Sequence, residues 1–424
     1  MISAEKNERL TRVGPGTPGG ELLRRYWQPI AASSEVREVG TRTVRLLGED
    51  LVLFRDPSGS LGLIAERCPH RGCSLAFGIP SDRGISCPYH GWLFDTTGQC
   101  IEQPAEPETS MFKDRVQTPA YPVQEMGGLV WTYLGPDPAP LLPRFDLFAR
   151  PNVLRSIGFT MLPCNWVQVM ENSVDPVHFE YLHGVFGDYN LSQTDEPPTV
   201  GPGMHHTKIG FDEFEFGIIK RRVVETTTED DDAWKIGHPV VFPNMLKVGR
   251  DRWWQFQIRV PVDDTHTLLW WYSTVDSGSV PVDQPLDEIE SFEVPYQDED
   301  GRPLVTEFAA QDMMAWVSQG PIADRTVERL TTSDIGVTTF RRILLREMDA
   351  VAQGQDPLGT LRDTARRDEI IDLPQEGKHY FQNAESAALD VLRQPGTKYS
   401  PLKDQFIELY CAPEPSTLTT SPRS

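Results

Sequence analysis

The chain is sparing with cysteine, six in 424 residues, and short of positive charge, with 40 Lys and Arg against 62 Asp and Glu for a formal net charge of −22. Six cysteines in a chain of this length are too few for a disulfide scaffold. With this acid excess the sequence shows no sign of the basic stripe that neutralises phosphates, which argues against nucleic acid or an anionic membrane surface as partner. Apolar runs are short as well, none approaching the ~18 residues of a membrane span. The opening MISAEKNERLTRVG lacks the apolar core of a signal peptide, so the expected compartment is a reducing cytoplasm. A dinucleotide fingerprint is missing in substance. The run Gly14-Pro15-Gly16-Thr17-Pro18-Gly19 has the spacing G-x-G-x-x-G, but it follows no apolar strand, and its two prolines remove backbone donors that a phosphate cradle needs.

At ~150 residues per domain the length allows two or three domains. Residues 1–25 read as a helical segment expected to pack on the larger domain. Residues 26–140 read as a small all-β domain, with short β-type runs such as TRTVRLL, DLVLFRD and GLVWTYLG broken by Gly, Asp and Pro. The proline-rich stretch GPDPAPLLP makes a linker. Residues 141–411 read as a larger α+β domain, an antiparallel sheet flanked by helices. Its expected strand pair is RDRWWQFQIRV and HTLLWWYSTV, and its expected helices surround Trp166 and cover EFAAQDMMAWV and TTFRRILLREMDAVAQG. The fold class is thus α+β, and residues 412–424 read as a flexible tail.

Four residues of the small domain stand in two clusters, Cys68-Pro69-His70 and Cys87-Pro88-Tyr89-His90. Two thiolates and two imidazoles suit a tetrahedral zinc ion. Zinc knuckles, however, usually pair like with like, whereas each cluster here joins one Cys to one His. A Rieske [2Fe–2S] cluster wants that mixture, two thiolates on one iron and two imidazoles on the other, so that each loop supplies one ligand to each iron. The segment CPHRGCSLAFG…CPYHGWLFD resembles the Rieske domain of aromatic-ring oxygenases. Rieske domains of cytochrome complexes carry an added disulfide; Cys73 matches its first half, but Tyr89 stands where the second would be. The resemblance therefore implies the lower-potential oxygenase type, and Cys73, Cys100, Cys164 and Cys411 are expected to be packing residues.

In the larger domain Asp175, His178 and His183 follow Glu171 and Asn172. On a regular helix, residues five apart differ by about 140° around the axis, so both imidazoles meet one metal only where the helix is overwound, bulged or ending. Pro176 and Gly184 bracket such an irregularity. With one more carboxylate the pair would complete a 2-His-1-carboxylate facial triad, the non-haem iron arrangement with positions left open. The pattern D-x2-H-x4-H resembles that of Rieske non-haem iron oxygenase α subunits. The resemblance implies that His178 and His183 bind iron, and that Asp175 bridges His178 to a cluster histidine, His90 of an adjacent subunit. Asp175 and Asn172 are the candidate catalytic side chains. The segment WVSQGPIADR looks like the one that carries the third ligand in the phthalate 4,5-dioxygenase-like branch, which points to Asp324 ahead of Asp312 and Asp334.

The resemblance implies a terminal oxygenase component with one Rieske cluster and one mononuclear Fe(II) per chain, assembled as trimers or multiples of trimers. Electrons would come from a separate NAD(P)H-dependent reductase of flavin and iron–sulfur type, docking near His70, His90, Arg67 and Arg71. The expected reaction is O2-dependent hydroxylation of a phthalate-like aromatic acid, its carboxylate held by Lys220, Arg221 or Arg222. The alternative is oxidative O-demethylation of a methoxylated, lignin-type aromatic acid. A non-catalytic Rieske electron carrier is the answer from a different class, and a zinc-binding regulator a third.

Overall fold

The computed structural model describes residues 1–194, 205–278, 280–376 and 391–411. The tail at 412–424 lies outside them.

The small domain is built from two four-stranded antiparallel sheets. One runs Gly40–Leu46, Glu49–Arg55, Leu61–Ala65 and Ala120–Tyr121; the other runs Ile79–Ser81, Gly84–Ser86, Leu93–Phe94 and Cys100–Glu102. Between them Val52, Phe54, Ile64, Leu75, Ile85 and Phe94 pack with Cys68, Cys87 and Cys100. The first hairpin turns on Leu47 and Gly48, both at positive φ (50° and 78°), the twist a two-residue hairpin needs. A leucine is held in that conformation because its side chain is fully buried, and both turn amides donate to the larger domain, at Pro261 and Val262.

A third sheet, Gln28–Ala32, Leu129–Thr132 and Val123–Met126, closes the small domain yet belongs to the large core. Trp131 meets Phe148 edge-on, Trp270 donates its indole N–H to the Pro29 carbonyl (3.2 Å), and Tyr272 donates to the Gly127 carbonyl (2.7 Å). The two parts are therefore joined by apolar packing as well as by the linker.

The large domain is organised on an eight-stranded sheet in the order His206–Phe214, Gly217–Val224, His238–Val241, Met245–Arg250, Trp253–Pro261, Thr267–Asp276, Val153–Leu162, Ser291–Glu293. Its neighbours pair antiparallel except for the last, where Ser291–Glu293 runs parallel to Val153–Leu162. Three helices position the site: Trp166–Ser173, Phe308–Ser318 and Ile335–Ala352. Trp166 and Phe340 meet edge-on between the first and the third. The Gly/Pro run near the N-terminus starts a helix, Pro18–Leu23, with Pro18 in its first turn and Thr17 accepting from the Gly20 amide. That donor is spent on capping, and the helix packs on Ile335–Ala352.

Candidate metal centres

The two Cys/His loops share one backbone device. Cys68 N–H donates to the Cys73 carbonyl (2.9 Å) and Gly72 N–H to the Cys68 carbonyl (2.8 Å); Cys87 N–H donates to the Trp92 carbonyl (2.8 Å) and Gly91 N–H to the Cys87 carbonyl (2.9 Å). Both turns close on a glycine at positive φ, Gly72 at 74° and Gly91 at 71°. The loops lie so close that the His70 and His90 rings are 4.5 Å apart, and His70 stacks on Trp92 at 4.4 Å. Cys68 and Cys87 are buried while His70 is exposed and His90 half-buried, so sulfur lies inward and nitrogen outward. Burial pushes the Cys68 thiol up to about 11, with Cys87 beside it. Two sulfurs gathered out of water and two imidazoles at the rim fit a [2Fe–2S] cluster with unlike ligands on its two irons. Of the other cysteines, Cys100 and Cys164 are buried and Cys73 is half-buried, whereas Cys411 is exposed and so is not the packing residue expected.

Around His178 and His183 the chain leaves the α-helix. Trp166–Ser173 ends at Val174, and Phe179–Phe186 forms a π-helix with His178 at its N-cap. Hydrogen bonds from i to i+5 bring residues five apart onto neighbouring positions, the bulge the histidine spacing requires. The rings lie 5.4 Å apart between centroids. Each Nδ1 is engaged by an acceptor: His178 by the Asp175 carbonyl, and His183 by Gln311 Oε1 at 3.0 Å. Gln311 is itself fixed, its amide donating to the Val305 carbonyl (2.8 Å). The Nε2 atoms are thereby aimed together, at 3.6 Å and 3.2 Å from one carboxylate oxygen, Asp312 Oδ1. Among the described residues, His178, His183 and Asp312 are the group of three whose ligand atoms lie within 4.8 Å of one another. Burial holds His178 below the usual histidine range even against Asp312, which favours the neutral, ligating imidazole. Burial opposes ionisation of Asp312, but the two imidazoles and the Asn172 amide outweigh it and hold the carboxyl low. A half-buried carboxylate facing two imidazole Nε2 atoms fits a divalent metal ion.

The carboxylate at this centre corrects the expectation of Asp324. Asp324 is exposed, and its Oδ1 accepts from the amide (2.9 Å) and hydroxyl (2.6 Å) of Thr326, a local Asx turn. The neighbouring Arg325 is the residue that turns inward, 1% exposed, to Glu171. Asp334 is spent on the Thr331 amide. Asp312 comes instead from the helix Phe308–Ser318, where Phe308 stacks on His183 at 3.6 Å. Asn172 donates to Asp312 Oδ1 (3.1 Å), so its amide positions the carboxylate.

Asp175 differs from expectation in detail. Its Oδ1 accepts from the Val177 amide (2.9 Å) and caps the turn into the π-helix, while Oδ2 stands 3.9 Å from His178 Nδ1. The partner of that Nδ1 is the main-chain carbonyl, so backbone sets the tautomer. Of the three basic residues, alternation along Gly217–Val224 puts Lys220 and Arg222 on one face and Arg221 on the other. Arg221 is tied to Asp212 (2.6 Å) and to the carbonyl of Lys235 (2.6 Å), away from the histidines. Lys220 donates to the Ser173 carbonyl (2.9 Å), and Arg222 lies 5.9 Å from the Phe179 ring centre.

Residues 26–122 match the family model of the Rieske [2Fe-2S] domain, and residues 302–373 match one described as LigXa C-terminal domain like. The chain is 43% identical over 370 residues to the 5,5'-dehydrodivanillate O-demethylase oxygenase subunit of Sphingobium sp. (strain NBRC 103272 / SYK-6), covering 86% of this chain and 85% of that protein. It belongs to the Rieske non-haem iron oxygenases. Like other α subunits of the family, it carries a Rieske cluster and a mononuclear iron site. A second relative is the phthalate 4,5-dioxygenase oxygenase subunit of Pseudomonas putida, 32% identical over 405 residues, 85% of this chain and 89% of that one. The fold is shared with an NdmA variant of Pseudomonas putida CBB5 solved with theobromine, at a TM-score of 0.59 and 20% identity, over 85% of this chain and 99% of that one. No helix among the described residues is long and apolar enough to cross a membrane.

Proposed function

We propose that this Rieske oxygenase is an O-demethylase of methoxylated aromatic acids, with Cys68, His70, Cys87 and His90 holding the cluster and His178, His183 and Asp312 holding the iron. The observation that carries the choice is the 43% identity to an O-demethylase oxygenase subunit against 32% to a phthalate dioxygenase. Demethylation consumes one O2, two electrons and two protons per methoxy group. The methyl C–H is hydroxylated, the hemiacetal collapses to a phenol and formaldehyde, and the second oxygen atom leaves as water. Iron held by His178, His183 and Asp312 would supply O2 activation, and the cluster held by Cys68, His70, Cys87 and His90 would supply the electrons. The chain's own residues set that site: the Asp175 carbonyl and Gln311 fix both histidine tautomers, and Asn172 holds Asp312 in place.

Assembly into a ring of copies is part of this reading. Exposed apolar side chains flank both centres: Phe77, Ile79, Tyr89, Met111 and Phe112 on the small domain, and Tyr181, Val185 and Tyr189 beside the iron histidines. Apolar surface of this kind marks an interface. In a head-to-tail trimer the first group covers the second on the next copy, setting each cluster against the neighbour's iron site. The reductase then docks on the rim still open, where Arg67 and Arg71 are exposed. The test is reductase-coupled oxygen uptake over methoxybenzoates, 5,5'-dehydrodivanillate and phthalate. One formaldehyde per O2 from the methoxylated acids is expected; a dihydrodiol from phthalate without formaldehyde would overturn the reading.

A further inference from the structure

Six Lys or Arg side chains are buried among the described residues: Arg24, Arg155, Lys247, Arg259, Arg325 and Arg341. A cation out of water needs an anion or a full set of acceptors. Arg24 pairs with Glu49, Lys247 with Asp146, and Arg325 and Arg341 with Glu171. Arg155 donates to three main-chain carbonyls, those of Phe148, Arg150 and Val153. Arg259 is the exception in having neither a paired carboxylate nor several main-chain acceptors. It is 0% exposed, and its side chain donates only to Gln257, Nη1 to the carbonyl (2.9 Å) and Nη2 to Oε1 (2.7 Å).

Arg259 ends a polar row on an otherwise apolar strand. Gln257 donates to Gln255 Oε1 (3.1 Å), and Gln255 donates to Ser273 Oγ (2.8 Å). Gln255, Gln257 and Arg259 alternate onto one face of Trp253–Pro261, opposite Ser273, Trp271 and Leu269. Trp271 and Leu269 pack with Ala309, Ala310 and Met313, so this face looks onto the helix that carries Asp312. Gln257 is only half-buried between the buried Phe256 and Ile258, so it is the member of the row that remains accessible. Burial lowers the Arg259 pKa to about 9, and the charge that resists the fall is Asp312. Once Asp312 holds iron, its charge is matched there, and Arg259 is left as a buried cation on the sheet face that packs against the Asp312 helix.

We propose that Arg259 is the specificity-determining residue of the iron site, its guanidinium, steadied by Gln257, receiving the carboxylate of the aromatic acid. This rests on the aromatic-acid reading above. An apolar wall with one fixed cation selects an anionic aromatic over its neutral analogue, because a neutral group leaves the desolvated guanidinium unmatched.

The test is calorimetric binding of 3-methoxybenzoate and of 3-methoxybenzamide to iron-loaded holoenzyme, with Arg259→Met and Arg259→Lys variants. The acid is expected to bind the wild type about 30-fold more tightly than the amide. Arg259→Met should erase that preference while amide affinity stays within about threefold and cluster absorption and iron content are kept. Arg259→Lys should restore part of it, charge without the fork. Equal binding of acid and amide by the wild type would overturn the proposal, as would equal weakening of both in the Met variant. If the Met variant does not fold, the Lys variant decides: a changed acid-to-amide ratio at constant amide affinity supports the assignment, and an unchanged ratio removes it. Acid preference that depends on Arg259 without formaldehyde release would overturn demethylation alone and leave this assignment standing.

Discussion

At the scale of single residues the chemistry turns on where one carboxylate sits. Asp312→Ala should lose the mononuclear iron and product formation while the cluster's visible absorption persists; Asp324→Ala should keep both, because that side chain only closes a surface turn. Iron analysis of the two variants checks the assignment, and retained iron in Asp312→Ala would refute it. Gln311 was invisible in the sequence. It carries no charge and lies 128 positions from His183, yet it fixes that ring's tautomer. Gln311→Leu should weaken iron binding by about 10- to 100-fold, the usual loss when the partner of a metal-ligating histidine is removed, read by chelator competition.

Elements set the precision of both centres. The two cluster loops are alike in hydrogen bonding but differ in what surrounds their glycines. A Cβ at Gly72 would meet nothing within 4 Å, whereas one at Gly91 would lie 3.0 Å from Pro104 Cγ. Gly72→Ala should therefore cost about 1–2 kcal/mol of left-handed strain, and Gly91→Ala more, since contact is added to strain. Comparison of melting temperature and cluster content in the two variants measures the difference; equal loss would count against this account.

The helix bearing Asn172 is anchored by Glu171, which is buried and shared between Arg325 and Arg341. Burial raises the Glu171 pKa, but the two guanidinium groups outweigh it and leave the carboxyl below the ordinary glutamate range. The folded-state pKa lies below the unfolded one. The contribution is therefore fully present above the unfolded value of about 4.3 and lost as pH falls towards the folded one. Glu171→Ala should destabilise by about 3–5 kcal/mol, leaving buried Arg325 without its anion and Arg341 with Glu328 alone, and should flatten the acid limb of the stability curve. Thermal unfolding between pH 3 and 7 reads both effects.

For the whole molecule, the proposed ring of copies would bury the exposed apolar groups at the two centres and make assembly a condition of activity. Tyr181→Glu, at a side chain 69% exposed, should leave both metal sites loaded but shift sedimentation towards the monomer and lower turnover. A trimer of normal activity in that variant would place the subunit contact elsewhere.

The local level was readable in the sequence because its information is local. The loops around Cys68 and Cys87 are closed by bonds reaching five residues, and the His178–His183 interval could serve one metal only through the distortion that the π-helix supplies. The aromatic and β-branched runs near 250–260 and 266–275 became the adjacent strands Trp253–Pro261 and Thr267–Asp276 for the same reason. The third carboxylate was different. Asp312 and Asp324 lie twelve residues apart among many acids, and the choice fell to tertiary packing: Phe308 against His183 carries one inward, and the burial of Arg325 against Glu171 turns the other out. Arg259 reads in sequence as one charge in a strand. Only the sheet, by burying it opposite the Asp312 helix without a carboxylate of its own, makes it a cation in need of an anion.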